Sequence, residues 1–234
     1  MSDVAPLLFV AMGVFVAAFI VISFVAIPEP HLQKGGVKKE KFSHSPWSFR
    51  HTLLGVIGIF IYVGIEMSVG LWSNSYLVEK LGLLPSSSGY FIASYYAAIM
   101  AGRFLSGVIT NRLWNRNMIR LGLFLASLGL FLIILSQDLT IIRLSLILIG
   151  LGFAPLYPSM MHETPKRFIE AQSILLISYQ VGIAYIGGTI ISTGLGYLFK
   201  PFSISILYPA ILFLVLLMFI LSEIYNRVTP KQGH

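Results

Sequence analysis

The chain has 234 residues, of which 56% are hydrophobic and 11% are charged, and its mean hydropathy is +0.85. A soluble domain has about a quarter of its residues charged, so this composition excludes an ordinary soluble fold and predicts a protein embedded in lipid. The absence of cysteine excludes disulfides, thiol catalysis and cysteine metal sites. The net charge of +7 comes from basic residues between apolar runs, which is typical of membrane proteins and does not indicate a nucleic-acid partner.

Seven apolar runs are long enough to cross a bilayer as helices, which takes about 17–25 residues each. They lie near residues 5–27, 52–76, 88–110, 119–136, 140–161, 173–198 and 203–226. We therefore expect an all-α integral membrane protein with seven transmembrane helices, multi-pass in the cell membrane. Basic residues collect in alternate connections, whereas the opposite connections hold Lys80 and Lys200. The positive-inside rule then places the N-terminus outside and the C-terminus in the cytoplasm.

The first run differs from the other six in its setting. Residues 1–6 lack the positive start of a signal peptide, so residues 1–27 are interpreted as a retained orphan helix. Residues 28–51 form the long lysine-rich connection, which we expect to be a solvated cytoplasmic linker; a regulatory or partner-binding role is the alternative. Residues 52–226 then hold six closely spaced helices, and 227–234 a cytoplasmic tail. One helix followed by six suggests a piece of a larger design.

The second run carries Glu66 close to its middle. A carboxylate at that depth costs from about 2.5 to more than 10 kcal/mol, depending on how it is measured, and normally faces a protein interior or a wet cavity. Helical periodicity places small and polar residues on the face of Glu66. They are Gly55, Tyr62, Gly70 and Ser73, and Trp72 opens a neighbouring face. This pattern predicts a functional site around Glu66.

The third and fifth runs hold further candidates. Tyr95 in the third run is interpreted either as a ligand contact or as interior packing. Arg103, near the inner end of that run, favours a gate or a structural ion pair over substrate contact. Pro155 and Pro158 in the fifth run must kink its helix. Kinking for shape and a flexible gate both remain open as the purpose of the kink.

The last two runs add a pore candidate and an ion pair. The sixth run is rich in glycine, which lets helices approach closely, and its Gln180 is expected to face a pore. In the seventh run, Glu223 and Arg227 are one turn apart and predict an interfacial pair.

No enzyme constellation is present in the sequence. His162 and Glu163 have no further ligand at metal spacing, and Gly150-Leu-Gly152 lacks the rest of a nucleotide fingerprint. We therefore expect neither an enzyme, nor a cofactor, nor a metal site.

Three segments resemble one transporter family. Gly102-Arg103-x3-Gly107-x3-Asn111-Arg112 is similar to the cytoplasmic loop signature of the major facilitator superfamily, although that signature usually has Asp where this chain has Asn111. The stretch from Tyr62 to Leu77 resembles the seventh helix of the fucose-permease-like branch. The pattern Gly150-x-Gly152-x2-Pro155-x2-Pro158 is similar to the tenth helix of that branch.

This resemblance implies an architecture and a function. The chain looks like helices six to twelve of a twelve-helix transporter, with 52–226 as its C-terminal half, built as a three-plus-three inverted repeat. The expected function is proton-coupled transport of a small polar solute, in this branch a sugar, by alternating access. The other half, or a second copy of the chain, is the expected partner. Some key carboxylates of such permeases lie in that other half.

The resemblance also implies roles for the candidate side chains. Glu66, with Tyr62 beside it, would bind a proton or a sugar hydroxyl, and Asn74 and Gln180 would hydrogen-bond the substrate. Trp72 or Tyr95 would stack on a pyranose ring. The glycine, arginine and proline positions of the loop signature and the kinked helix would form the gate.

Two other classes of function stay open. A membrane assembly subunit or an inactive fragment would share the helices but not the transport. A seven-helix receptor fits the count of runs, but the last run has no lysine for a retinal Schiff base and the chain has no extracellular disulfide.

Overall fold

A computed structural model describes residues 46–109, 115–165 and 170–228, and in these ranges the secondary structure is entirely helical. The helices are α1 (Pro46–Glu79), α2 (Pro85–Ile109), α3 (Asn115–Leu135), α4 (Leu139–Phe153), α5 (Leu156–Glu163), α6 (Glu170–Phe202) and α7 (Leu207–Val228), with a 3-10 turn at Ile204–Ile206. The predicted helix at 5–27, the linker up to residue 45, Asn111, Arg112 and the tail beyond 228 lie outside the described residues.

The six later predicted spans are confirmed in the described part of the chain. Six helical segments there are long and apolar enough to cross a membrane. They are Thr52–Glu79, Pro85–Ile109, Asn115–Leu135, Leu139–Glu163, Ser173–Phe199 and Ile204–Val228. The prediction began the third of these at residue 119, but α3 begins at Asn115. Arg116 and Arg120 therefore lie in the first turns of a helix and not in a connection.

Helix α1 is the centre of the bundle. It packs along α6 and also contacts α2 and α7, while α4 packs against both α2 and α3. Its buried side includes the fully buried residues Ile59, Tyr62, Ile65 and Val69. Because water is absent from a bilayer core, such helices associate through close packing and internal hydrogen bonds.

The α1–α6 contact depends on glycine at the crossing point. A Cβ atom on Gly187 would lie 2.3 Å from the main-chain oxygen of Phe60, and one on Gly188 would lie 2.3 Å from the sulfur of Met67. A backbone atom cannot turn aside as a side chain can, so Gly187 sets the distance between the two helices. The glycine-rich sixth run is therefore used in part for close packing.

The helix of the fifth run is interrupted at the position that its prolines predict. Helix α4 ends at Phe153 and α5 begins at Leu156, with Ala154 and Pro155 in a turn between them. Pro155 and Pro158 have no N–H to donate along the helix, which accounts for the interruption. Ala154 and Pro155 keep right-handed helical geometry, so the structure shows an interruption at the prolines, and the kink itself stays a prediction.

The predicted pair between Glu223 and Arg227 is wrong. Glu223 on α7 instead accepts hydrogen bonds from the guanidinium of Arg120 at 2.6 Å to each oxygen, and from Arg116 at 3.4 Å. Helices α3 and α7 pack side by side, so a planar bidentate partner on α3 is better placed than a residue one turn along α7. Sequence spacing alone could not show this neighbour.

The crossing glycine gives the first prediction. Gly187→Ala should destabilise the bundle by about 1–3 kcal/mol, the usual cost of overpacking, because the new methyl group meets a backbone oxygen. Thermal unfolding in detergent measures the loss. Gly194→Ala on the same helix is the matched control, since a Cβ there has nothing within 4 Å; it should leave the melting temperature unchanged or raise it. Equal effects of the two substitutions would contradict this account of the crossing.

A second prediction concerns Asp138, which lies between two spans and caps α4. Its carboxylate accepts the backbone N–H groups of Ile141 at 3.1 Å and Thr140 at 2.8 Å. These bonds favour the ionised form and hold the pKa of Asp138 below its ordinary value. Since the folded-state pKa is depressed, the stabilisation is present above the unfolded-state pKa and is lost as the pH falls through the folded-state value.

Asp138→Ala should therefore lower the melting temperature at pH 7 and have a smaller effect in strongly acidic buffer. Asp138→Asn, which keeps a capping oxygen without a titrating group, should lose little at either pH. Melting curves of the three proteins across pH test this, and a pH-independent cost of Asp138→Ala would contradict it.

Candidate functional site

The centre of the site is an ion pair between two membrane helices. Glu66 lies at the middle of the span Thr52–Glu79, and its Oε1 accepts a hydrogen bond of 2.8 Å from Nη2 of Arg103 on α2. The Glu66 side chain is 17% exposed and that of Arg103 is 48% exposed. The pair removes the net charge that a lone carboxylate would leave at membrane depth, and its arginine end remains accessible from outside the bundle.

Tyr62 forms a hydrogen bond with the other carboxylate oxygen of Glu66. It lies one turn before Glu66 on α1 and its hydroxyl donates to Oε2 of Glu66. The same hydroxyl is 3.0 Å from the main-chain oxygen of Phe153, the last residue of α4. Tyr62 is fully buried, and its ring packs edge-on against Phe153, with centroids 6.2 Å apart. The acid is thereby linked to the broken helix.

Further tyrosines surround this pair. Tyr95 on α2 is fully buried and its hydroxyl donates to the main-chain oxygen of Glu66 at 3.1 Å. Tyr96 packs on Tyr95 with centroids 5.1 Å apart, and half of its surface is exposed. Tyr157 on α5 lies 6.4 Å from the ring of Tyr62. The site thus combines one acid, one base and hydroxyl groups from three helices.

This arrangement suits ligands that both donate and accept hydrogen bonds. The carboxylate accepts and the guanidinium donates, so a vicinal pair of hydroxyls can satisfy both. The described residues contain no group of three or more histidines, aspartates or glutamates that could hold a metal ion.

Trp72 and Asn74 lie apart from this cluster, toward the C-terminal end of α1. The indole N–H of Trp72 donates to the main-chain oxygen of Ser192 at 2.8 Å, and its ring packs edge-on against Phe199. Asn74 is exposed, and its side-chain oxygen accepts from the hydroxyl of Ser88 at 2.6 Å. The structure places both residues at contacts between helices.

Gln180, on α6, lies against the N-terminal part of α1. It is buried, and its side-chain oxygen accepts a hydrogen bond from the hydroxyl of Thr164 at 3.0 Å. Together with Gly55, Met160 and Tyr225 it lines a cavity. A Cβ on Gly55 would be 3.4 Å from the Gln180 amide nitrogen. Gly55 is eleven residues before Glu66, or about 16 Å along a helix. Gln180 therefore lines a cavity that does not include Glu66.

The residues predicted to form a gate also lie at different places in the bundle. Gly102 lies against the helix break, where its Cβ would be 2.5 Å from Cβ of Ala154, and Pro155 and Pro158 form that break. Gly107 is exposed with open space beside it. Of the gate candidates in the described residues, Arg103 is the one that reaches Glu66.

Sequence reasoning missed two features of this cluster. Arg103 was expected to serve a gate or a structural ion pair, and the ion pair is present, but its partner was not named, although Glu66 is the carboxylate farthest from any span end and an arginine in lipid needs an acid. That signal was available. The contact of Tyr62 with Phe153 had no such signal, because nothing in the sequence indicates which turn of α4 lies opposite Tyr62.

Comparison with known proteins gives a family. The family model described as Major Facilitator Superfamily matches residues 4–170. A relative called "Glucose/galactose transporter" from Brucella abortus is 26% identical over 193 residues, covering 80% of this chain and 44% of the relative. A "Putative glucose/galactose transporter" from Helicobacter pylori is 33% identical over 85 residues, covering 36% of this chain and 20% of the relative.

Two solved structures share the fold. The POT family transporter PepTSo has a TM-score of 0.68 at 13% identity and is matched over 79% of this chain and 39% of its own. The transporter FucP in its outward conformation has a TM-score of 0.67 at 17% identity, over 76% of this chain and 43% of its own. The chain spans less than half the length of each of these proteins.

The ion pair yields a third prediction. Arg103→Gln should destabilise the protein by about 1–2 kcal/mol, between the values typical of exposed and buried pairs, because it leaves the Glu66 carboxylate at membrane depth without its cation. Adding Glu66→Gln should recover most of the loss, since no charge is then left. The melting temperatures of the four proteins of this double-mutant cycle measure the coupling.

Arg143 provides the control. It is an exposed arginine in the apolar helix α4, and Arg143→Gln should change stability by no more than about 0.5 kcal/mol. Additive effects of the Arg103 and Glu66 substitutions would show that the pair is not energetically coupled.

Proposed function

Because this multi-pass membrane chain belongs to the Major Facilitator Superfamily, we propose that it takes part in moving a small polar solute, specifically a sugar, across the membrane. The relatives named as glucose/galactose transporters support the sugar class. The likeness to FucP and PepTSo supports the fold on which such transport depends. Transport by alternating access needs a site near the middle of the bilayer.

The observation that carries this proposal is the cluster of Glu66, Arg103 and Tyr62. A carboxylate and a guanidinium 2.8 Å apart near the middle of a span are costly to keep in lipid and are expected where they serve a function. In the proposal, Glu66 binds a proton or a sugar hydroxyl and Arg103 takes over a hydroxyl when Glu66 is neutral. Tyr96, the half-exposed ring beside Tyr95, supplies a stacking surface that the buried Tyr95 does not.

The remaining candidates are proposed for other stages of the cycle. Asn74 lies toward the C-terminal end of α1, and Gln180 lies beside its cavity near the N-terminal part of α1; in the proposed orientation these are the outer and inner ends. A solute passing between the two ends would meet them before and after the central cluster. Trp72 and the break at Pro155 are proposed as parts that move when access changes sides.

We also propose the architecture that the resemblance implies. Residues 52–226 would be the C-terminal six-helix half, a three-plus-three inverted repeat, joined to an orphan helix at 1–27 by a cytoplasmic linker at 28–51. The basic connections support an N-terminus outside and a cytoplasmic C-terminus. A complementary N-terminal half or a second copy of the chain would complete the pathway. An assembly subunit without transport is the competing outcome.

Sugar-induced thermal stabilisation provides the fourth prediction. A solute that binds only the folded state raises its stability by RT ln(1 + [L]/Kd), or about 2.7 kcal/mol at one hundred times Kd. D-Glucose or D-galactose should stabilise the purified chain in nanodiscs, whereas L-glucose should not. Glu66→Gln should abolish the effect, and proton-coupled uptake should be lost with it in liposomes holding the complete transport unit.

Glu79→Gln is the matched control, since it makes the same change at the exposed outer end of the same helix; it should leave sugar stabilisation intact. Stabilisation that survives Glu66→Gln would remove Glu66 from the site. A stoichiometric membrane partner together with no sugar response, either alone or in the complex, would favour the assembly subunit.

A further inference from the structure

We propose that Gly70 positions the hydroxyl of Tyr96 beside the ion pair of Glu66 and Arg103, where this hydroxyl binds a hydroxyl of the solute and so selects among sugars. The inference rests on the proposed function, for which it names a specificity-determining group. It assigns Tyr96 a hydrogen bond in addition to the stacking surface of its ring, and it makes Gly70 a positioning residue.

The absence of a side chain on Gly70 leaves room for the end of the Tyr96 ring. A Cβ atom on Gly70 would lie 2.0 Å from the hydroxyl oxygen of Tyr96 and 2.9 Å from its Cζ. The three atoms nearest to this Cβ position all belong to Tyr96, so the glycine serves this one side chain and not a backbone contact such as that of Gly187. Real Cβ atoms essentially never come within 3.0 Å of such a neighbour. Any residue other than glycine would therefore displace the hydroxyl.

The hydroxyl of Tyr96 is available to a ligand. Tyr62, Tyr95 and Tyr208 are fully buried, and each donates its hydroxyl to another group of the protein. Within the described ranges, by contrast, no group forms a hydrogen bond with the hydroxyl of Tyr96. Half of the surface of Tyr96 is exposed. A solute can therefore reach a hydroxyl whose position is fixed but whose hydrogen bonds are still to be made.

Tyr96 and the ion pair belong to the same contact between α1 and α2. Gly70 follows Glu66 by one turn of α1, and Tyr96 precedes Arg103 by two turns of α2, so each of these pairs shares a helix face. The contacts of Glu66 with Arg103 and of Gly70 with Tyr96 thus join the same two faces at successive levels. The levels are about 6 Å apart along α1, a separation that one pyranose with its hydroxyl groups spans.

Tyr96 adds a hydrogen-bonding capacity that the ion pair lacks. The carboxylate of Glu66 accepts hydrogen bonds and the guanidinium of Arg103 donates them, whereas a phenol hydroxyl does both. A sugar hydroxyl at the level of Gly70 satisfies Tyr96, and a sugar without that hydroxyl leaves Tyr96 unpaired. A site built around such a bond discriminates against the analogue that lacks the hydroxyl.

The test measures the Kd of D-glucose, D-galactose and their monodeoxy analogues for the full chain in nanodiscs, together with its partner where the transport unit requires one. Tyr96→Phe keeps the ring and removes the hydroxyl. It should raise the Kd of the parent sugar by about two- to tenfold, the contribution of one hydrogen bond. One deoxy analogue should bind the unsubstituted chain more weakly than its parent by a similar factor, and should bind Tyr96→Phe as well as its parent does.

Gly70→Ala should raise the same Kd without lowering the melting temperature, because the half-exposed ring of Tyr96 can turn aside from the new methyl group. The double variant should bind no more weakly than Tyr96→Phe alone, since the methyl group then has no hydroxyl to displace. A glycine that mattered for packing alone would lower the melting temperature and add its effect to that of Tyr96→Phe.

The start of α2 offers matched controls. A Cβ on Gly89 has nothing within 4 Å, and Tyr90 is an exposed tyrosine. Gly89→Ala and Tyr90→Phe repeat the two substitutions away from the ion pair and should leave every Kd unchanged.

A second measurement is independent of sugar. In the chain labelled with fluorotyrosine, the fluorine resonance of Tyr96 is the one that is missing from Tyr96→Phe. Gly70→Ala should shift this resonance because it moves the ring, and Gly89→Ala should not.

A sugar Kd that Tyr96→Phe leaves unchanged would overturn the inference while the proposed function stands. Gly70→Ala overturns it equally if neither the Kd nor the fluorine resonance moves. If no sugar binds the unsubstituted chain, the proposed function fails and selection by Tyr96 fails with it, and the fluorine resonance still decides whether Gly70 positions the ring. If Gly70→Ala does not fold, Tyr96→Phe with the deoxy analogues decides the role of the hydroxyl.

Discussion

The structure depends on how one carboxylate is kept in lipid. Glu66 is accommodated because Arg103 neutralises its charge and the Tyr62 hydroxyl donates a hydrogen bond to its second carboxylate oxygen. Each partner comes from a position that the bundle must hold in place: Arg103 from α2, and Tyr62 one turn away with its hydroxyl against α4. The central packing of α1 therefore serves the electrostatics of the site as much as the stability of the bundle.

The break at Pro155 has a place in the same arrangement. A helix without the N–H groups of Pro155 and Pro158 exposes carbonyls that lipid cannot satisfy. The hydroxyl of Tyr62, which also contacts the acid, donates to the main-chain oxygen of Phe153 beside the interruption, and Gly102, the residue before Arg103, lies against Ala154. The polar cluster and the backbone interruption are therefore in direct contact.

The separation of the other polar residues gives the bundle three levels. Asn74 lies toward the C-terminal end of α1, the Glu66 cluster at its middle, and Gln180 beside the cavity near its N-terminal part. The helices do not bring all the predicted site residues of the described part of the chain into a single pocket. They form a series of polar positions along α1, and small residues such as Gly55 leave room beside them.

The sequence by itself determined the six later spans, the interruption at Pro155 and the need of Glu66 for polar partners, because run length, missing N–H groups and the cost of a buried charge are local properties. Only the tertiary structure decided that Arg103 pairs with Glu66, that Arg120 rather than Arg227 pairs with Glu223, and that Gln180 lies far from the acid. These partners come from different helices. Their heights and rotations are set by close contacts such as that of Gly187 with Phe60, which no periodicity within one helix encodes.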